Sequence, residues 1–271
     1  MQPLNPEDLL IRLSPAELER QAEGQSLESR PSIPLERFQR LEQTLRDHPL
    51  TVAPYLELAQ YYLSAARWTD ARRVLELACQ RFPEDEQAQF LLEEAQLARS
   101  LQLYHAVEQA HREEPSQITL APLEASRIEL NVLREKVCRQ RLVRHPKQVA
   151  LNLPLATALH NLGQAEQAMR ALSSAMQESK LRAAAAFQLG QLMEEAKRIP
   201  EALSLYRRSA LFRVPPPPRD LKLRALSAAA DLAERSLLID SARHYVKLLL
   251  ELQPDDTDIQ TRLARLQATP L

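Results

Sequence analysis

Apolar and small residues recur along this chain at one fixed spacing, in frames of 34 residues. In residues 52–85 the pattern is Tyr55, Leu58, Ala59, Tyr62, Ala71, Leu75, Ala78 and Pro83. In 149–182 it is Asn152, Leu155, Ala156, Leu159, Ala168, Leu172 and Ala175. In 183–216 it is Ala186, Leu189, Gly190, Met193, Ala202, Tyr206 and Ser209. In 223–256 it is Leu226, Ala229, Ala230, Ala233, Ala242, Val246, Leu249 and Pro254. Within each half-frame the steps of three and four follow one face of a helix. Each frame therefore predicts two helices and a turn. The small slots, such as Ala59, Ala71 and Ala168, mark where two helices approach closely. A larger side chain there forces the helices apart.

The rest of the chain falls into pieces related to those frames. Leu35, Phe38, Leu41 and Leu45 make one stripe, and Pro49 lies 34 residues before Pro83. Residues 35–51 thus read as half a repeat. Residues 86–148 span 63 positions, an excess of 29 over one frame. Phe90, Leu97, Leu101 and Tyr104 form a stripe in the first part, and Leu123, Leu130, Leu133 and Val137 form one in the second. The economical reading is one repeat with both helices lengthened, turning at 115–122 and projecting roughly 20 Å as an antiparallel hairpin. The competing reading is two degenerate repeats, with helix breaks near 100 and 133. Pro215 to Pro218 form a stiff connector, or a ligand for a proline-reading domain, and reset the frame by six residues. Thr257 and Gln260 fit a capping box that starts a closing helix over 257–268. Residues 1–34 read as an arm with two short helices, near 6–12 and 15–23, and a linker.

This residue pattern resembles the tetratricopeptide repeat, a helix–turn–helix unit that stacks on copies of itself. The resemblance implies an all-α fold: a right-handed α-solenoid with repeats at 52–85, 149–182, 183–216 and 223–256, and an elongated one at 86–148. It implies a protein–protein interaction scaffold rather than an enzyme. In this family the first helices of successive repeats line a concave groove. Its lining here would be Leu56, Gln60, Leu63, Thr157, His160, Phe187, Gln191, Glu194, Ser227, Asp231 and Glu234, with Phe187 a candidate apolar anchor. Chaperone-binding members use a lysine, asparagine and arginine clamp for a terminal carboxylate. The matching slots carry Leu56, Gln60, Pro154, Ala184 and Gln188, which argues against that role.

Composition narrows the picture. Three glycines, Gly24, Gly163 and Gly190, leave no material for a phosphate-cradling loop. No HExxH, GxSxG, paired CxxC or calcium loop occurs, so no cofactor and no metal site are expected. His105 and His111 are six apart and do not share a helix face. The carboxylate pairs Glu93–Glu94 and Glu194–Glu195 are read as solvated faces. Cys79 and Cys138 sit among apolar neighbours and read as small buried hydrophobes. A net charge of −1 supplies no global drive toward nucleic acid. Basic clusters at 134–147 and 197–224 keep a second class open: a binder of nucleic acid or another anionic partner. Self-assembly through the 86–148 hairpin is a third. Glu7 and Asp8 precede the short apolar run Leu9–Ile11, where a signal peptide would be basic, so the cytoplasm is the expected compartment.

Overall fold

The computed structural model describes residues 35–47 and 50–268; the expected arm over 1–34 and the His48–Pro49 junction lie outside them. The described residues form twelve α-helices and no strand, so the chain is all-α. They divide into two compact units, Met1–Val137 and Cys138–Leu271.

The first unit holds α1 (Leu35–Arg46), α2 (Ala53–Ser64), α3 (Trp68–Arg81), α4 (Glu86–Glu113) and most of α5 (Gln117–Arg144). Helices α1 to α4 pack in chain order, and α4 also touches α2. Their core joins Tyr55, Leu58, Ala59, Leu75 and Ala78 to Ala88, Leu91 and Ala95 of α4. Two edge-to-face ring pairs close it, Phe38–Tyr62 at 5.5 Å and Tyr55–Phe82 at 6.1 Å.

The second unit begins with the last turns of α5 and a short 3-10 turn, Val149–Leu151. Then come α6 (Asn152–Asn161), α7 (Ala165–Ala175), α8 (Arg182–Glu195), α9 (Ile199–Leu211), α10 (Arg219–Arg235), α11 (Ile239–Leu252) and α12 (Thr257–Ala268). Each of these packs on the next, the stacking of an α-solenoid. The first helices also meet one another, α6 with α8 and α8 with α10. Pro154 is the third residue of α6, so it removes no intrahelical hydrogen bond.

One turn recurs four times. Ala66, Gly163, Lys197 and Leu237 have φ of 54°, 76°, 60° and 59°. Each is the fifteenth residue of its frame. In each, the next residue's N–H donates to the carbonyl five residues back in the helix: Arg67 to Tyr62, Gln164 to Leu159, Arg198 to Met193 and Leu238 to Ala233, all at 2.8 Å. The left-handed residue donates too, Ala66 to Leu63 and Leu237 to Glu234, at 3.1 and 3.0 Å. This is the Schellman ending, which satisfies carbonyls that the helix terminus would orphan.

The long pair turns differently. Helices α4 and α5 run 28 residues each, with no break at 100 or 133. The turn occupies 114–116 rather than 115–122, and Pro122 lies inside α5. Ser116 and Thr119 explain why. The Ser116 N–H donates to Thr119 Oγ1 at 3.1 Å, and the Thr119 N–H donates to Ser116 Oγ at 3.3 Å. That reciprocal cap starts the helix before the proline is reached. Thr119 Oγ1 also lies 2.8 Å from His111 Nδ1, tying the two helices. The closing helix is capped by Asp256, not by the expected Thr257. Asp256 Oδ1 accepts from the N–H groups of Asp258 and Ile259 at 2.9 and 3.1 Å. Asp85 caps α4 in the same way, accepting from Ala88 N–H at 2.7 Å.

Candidate partner-binding surface

The expected groove residues separate into three groups. Leu56 and Phe187 are core residues, 9% and 6% exposed, so neither offers a surface. The Phe187 ring lies 5.6 Å from that of Tyr206, and the Arg224 guanidinium covers it at 4.9 Å. The reason is that α8 is pressed between α9 and α10, which leaves an aromatic at this place no open side. Gln60, Leu63, Thr157, Gln191 and Ser227 are exposed or half-buried. In the third group, Glu194, Asp231 and Glu234 form ion pairs between successive repeats and His160 makes a polar contact to a carboxylate.

Those pairs form a ladder across the first helices. His160 Nε2 of α6 lies 3.1 Å from a Glu195 carboxylate oxygen of α8. Glu194 of α8 pairs with Arg235 of α10. Asp231 of α10 takes Arg262 of α12 at 2.6 Å, and Glu234 takes Arg262 and Arg265, the latter at 2.8 Å. Behind the ladder the Tyr206 hydroxyl donates to Glu194 at 2.7 Å. Burial first, and then this hydrogen bond to a carboxylate, push the Tyr206 phenol well above its usual range. Tyr62, which donates to Glu42 at 3.0 Å in the first unit, is pushed up to about 12 by the same two causes in the same order. The ladder bridges successive first helices through partly exposed pairs, and its acids face basic partners.

The other candidates resolve as follows. Glu93 and Glu94 are buried in α4, not solvated, and Glu194 is half-buried against Tyr206. Arg141 of the first basic cluster is 2% exposed, so residues 134–147 do not form one cationic face. In the second cluster Arg198 pairs with Glu201, Arg219 donates to the Leu252 carbonyl at 2.8 Å, and Arg224 covers Phe187. Cys138 is buried and Cys79 half-buried, with burial raising the Cys79 thiol. Among the described residues no group of three or more His, Cys, Asp or Glu is placed to hold a metal ion. No described helix is long and apolar enough to cross a membrane.

Two surfaces escape the frame-based reading. One is an open pocket of about 380 Å³ in the second unit, with Leu155, Leu159 and Ala171 as its floor and Arg139, Gln167 and Arg170 on its rim. It depends on where the end of α5 meets α6 and α7, which no periodicity encodes. The other is the outer face of α5, where Ile118, Ile128 and Val132 are exposed. Its signal was in the sequence, as a second apolar stripe opposite the one that packs.

With this geometry in hand, residues 52–97 match the tetratricopeptide repeat family. The match covers one helix pair and its surroundings, and three further pairs have the same left-handed turn and the same small-residue places. Such repeats commonly serve as protein–protein interaction scaffolds. No curated protein sequence matches the chain significantly. Among solved structures it is similar to the Cut9–Hcn1 hetero-tetramer of the APC/C, at 16% identity and a TM-score of 0.40, over 85% of this chain and 46% of that one. It is similar to Naa15/Naa10 bound to HypK, at 16% identity and a TM-score of 0.44, over 98% of this chain and 40% of that one. A thermophilic TPR protein of Thermus thermophilus aligns at 19% identity and a TM-score of 0.38, over 81% of this chain and all of that one. The chain thus spans less than half the length of the first two.

Proposed function

We propose that the protein is a non-catalytic scaffold that holds a segment of another protein along the first helices of its repeats. The observation that supports this is the polar ladder from His160 to Arg265, which joins α6, α8, α10 and α12. The buried core sets the spacing of these helices before any partner arrives and the ladder adds to it, and preorganisation lowers the entropic cost of binding. Thr157, Gln191 and Ser227 lie on the same helices, partly open and uncharged. They suit hydrogen bonding to the backbone of an extended segment, with specificity left to its side chains.

The test is site-specific photo-crosslinking. A benzophenone amino acid at Gln191 is expected to capture a partner from the source cell. The same group at Arg207, on the second helix α9, is expected to capture none. Adducts at position 207 and none at 191 would move the binding surface off the first helices.

A further inference from the structure

Helix α5 is apolar on two opposite sides. At about 100° per residue, Leu123, Leu130 and Val137 share one side, and Ile118, Ala121, Ala125, Ile128 and Val132 share the other. The first side is packed, with Leu130 3% and Val137 1% exposed. The second is open: Ile118 is 85% exposed, Ile128 and Val132 are each 50% exposed, and both alanines are exposed. Its steps of three, four, three and four are those of a coiled-coil seam. All five residues lie in the first unit.

We infer that this face docks against the same face of a second copy of the chain, antiparallel, with the two-fold axis between residues 126 and 127. In that register the four central layers each set a small residue against a larger one, while at either end Ile118 comes level with Glu135 of the other copy. Ala125 lies opposite Ile128 of the second copy, and Ala121 opposite its Val132. Such alternation lets two helices approach closely while the larger side chains fill the gaps. Because the pairing is between copies of one face, each contact occurs twice, as a closed dimer requires.

Charge selects the direction. Glu124 and Glu129 are both exposed and sit on opposite flanks of the seam. In a parallel pair, Glu124 of one copy would face Glu129 of the other, on both flanks at once, because residues five apart meet across a parallel seam. Like charges in that relation repel. In the antiparallel pair each flank meets itself reversed. Glu129 then falls beside Pro122, and Glu124 beside Asn131, which is buried in its own copy, so no acid faces an acid. The inference is independent of the first-helix surface, which lies on other helices.

Sedimentation velocity of the full chain, from one to a hundred micromolar, reads the association directly. The wild type is expected to shift from monomer to dimer across that range. Ile128→Glu and Val132→Glu are expected to stay monomeric, with thermal midpoints that match the wild type's at one micromolar, where it too is monomeric, since both positions are half-exposed in the monomer. Register is read by mixing Ala125→Cys chains with Ile128→Cys chains under mild oxidation and identifying the linked peptides by mass spectrometry. Crosslinks joining 125 to 128 are expected to dominate over 125 to 125. A wild type that is monomeric throughout, a dimer indifferent to Ile128→Glu, or a predominant 125-to-125 link would each overturn the inference.

Discussion

In the four regular pairs the first helix stops after three to five turns on a left-handed residue. In the long pair, α4 runs through the equivalent place, Ser100, and continues to Glu113. Local turn chemistry does not account for the difference, because the left-handed residues are Ala66, Gly163, Lys197 and Leu237, and only one is glycine. What differs is downstream. In the regular frames the places that follow the turn carry Ala71, Leu75 and Ala78, or Ala168, Leu172 and Ala175, and these are buried. In the frame that starts at residue 86 the same places carry His105, Gln109 and Arg112. These cannot form a second helix that packs back on the first. The chain has nothing to gain from turning at Ser100 and goes on until Pro115. The turn is thus placed by the burial it permits, and a left-handed residue is tolerated where that burial outweighs its strain.

The largest expected effect sets an alanine of a regular pair against one of the long pair. Ala168 is 0% exposed where α7 meets its neighbours. Ala168→Glu buries an unpaired charge and overpacks the contact, and is expected to cost at least about 3 kcal/mol. Ala110, on the open side of α4, is exposed. Ala110→Glu is expected to change stability by no more than about 0.5 kcal/mol. Denaturant midpoints measure both. Similar midpoints for the two variants would mean that burial does not distinguish the two kinds of helix pair.

A smaller effect tests how one regular pair differs from the others. At the eighth and twenty-fourth places of the frame three repeats combine Ala with an aliphatic: Ala59 with Leu75, Ala156 with Leu172, Ala230 with Val246. The fourth combines Gly190 with Tyr206. A Cβ on Gly190 would lie 2.7 and 2.8 Å from two ring carbons of Tyr206. Gly190→Ala is therefore expected to destabilise by about 1–3 kcal/mol, although alanine is the better helix former. Adding Tyr206→Leu removes the clash and restores the pairing of the other repeats. The double variant is expected to be more stable than the sum of the single effects by about 1 kcal/mol or more. Additivity in a double-mutant cycle would show that the close approach carries no strain.

Periodicity made the helices, their pairing and the small buried slots legible, since each depends on residues within one frame. It placed Ala168 and Tyr206 without any contact being known. It did not show that Leu56 and Phe187 are enclosed, because that depends on how a third helix closes over a pair. Nor did it show that Glu93 and Glu94 are buried, since carboxylates on a helix carry no mark of which neighbour will cover them. Pro115 and Pro122 suggested a wide turn because prolines are strong breakers. The reciprocal cap of Ser116 and Thr119 instead starts α5 before Pro122 and shortens the turn. The ladder of His160, Glu194 and Glu234 was named as groove lining because the frame gives the face of a residue and not its partners.

The smallest effect addresses the turn itself. Leu237 is 81% exposed with φ of 59°, so it carries left-handed strain without contributing burial. Leu237→Gly is expected to stabilise by about 1 kcal/mol, because glycine adopts that conformation without a Cβ clash. Gly163 is the mirror case. Its φ is 76° and nothing lies within 4 Å of an added Cβ, so Gly163→Ala isolates backbone strain and is expected to cost about 1 kcal/mol. In the long pair the same frame position is helical, and Ser100→Gly is expected to destabilise by about 0.5 kcal/mol. Glycine at one frame position thus has opposite signs in the two kinds of pair. Thermal melts of the three variants read those signs directly. A stabilising Ser100→Gly would mean that α4 bends at residue 100, and that the long pair retains a trace of the regular turn.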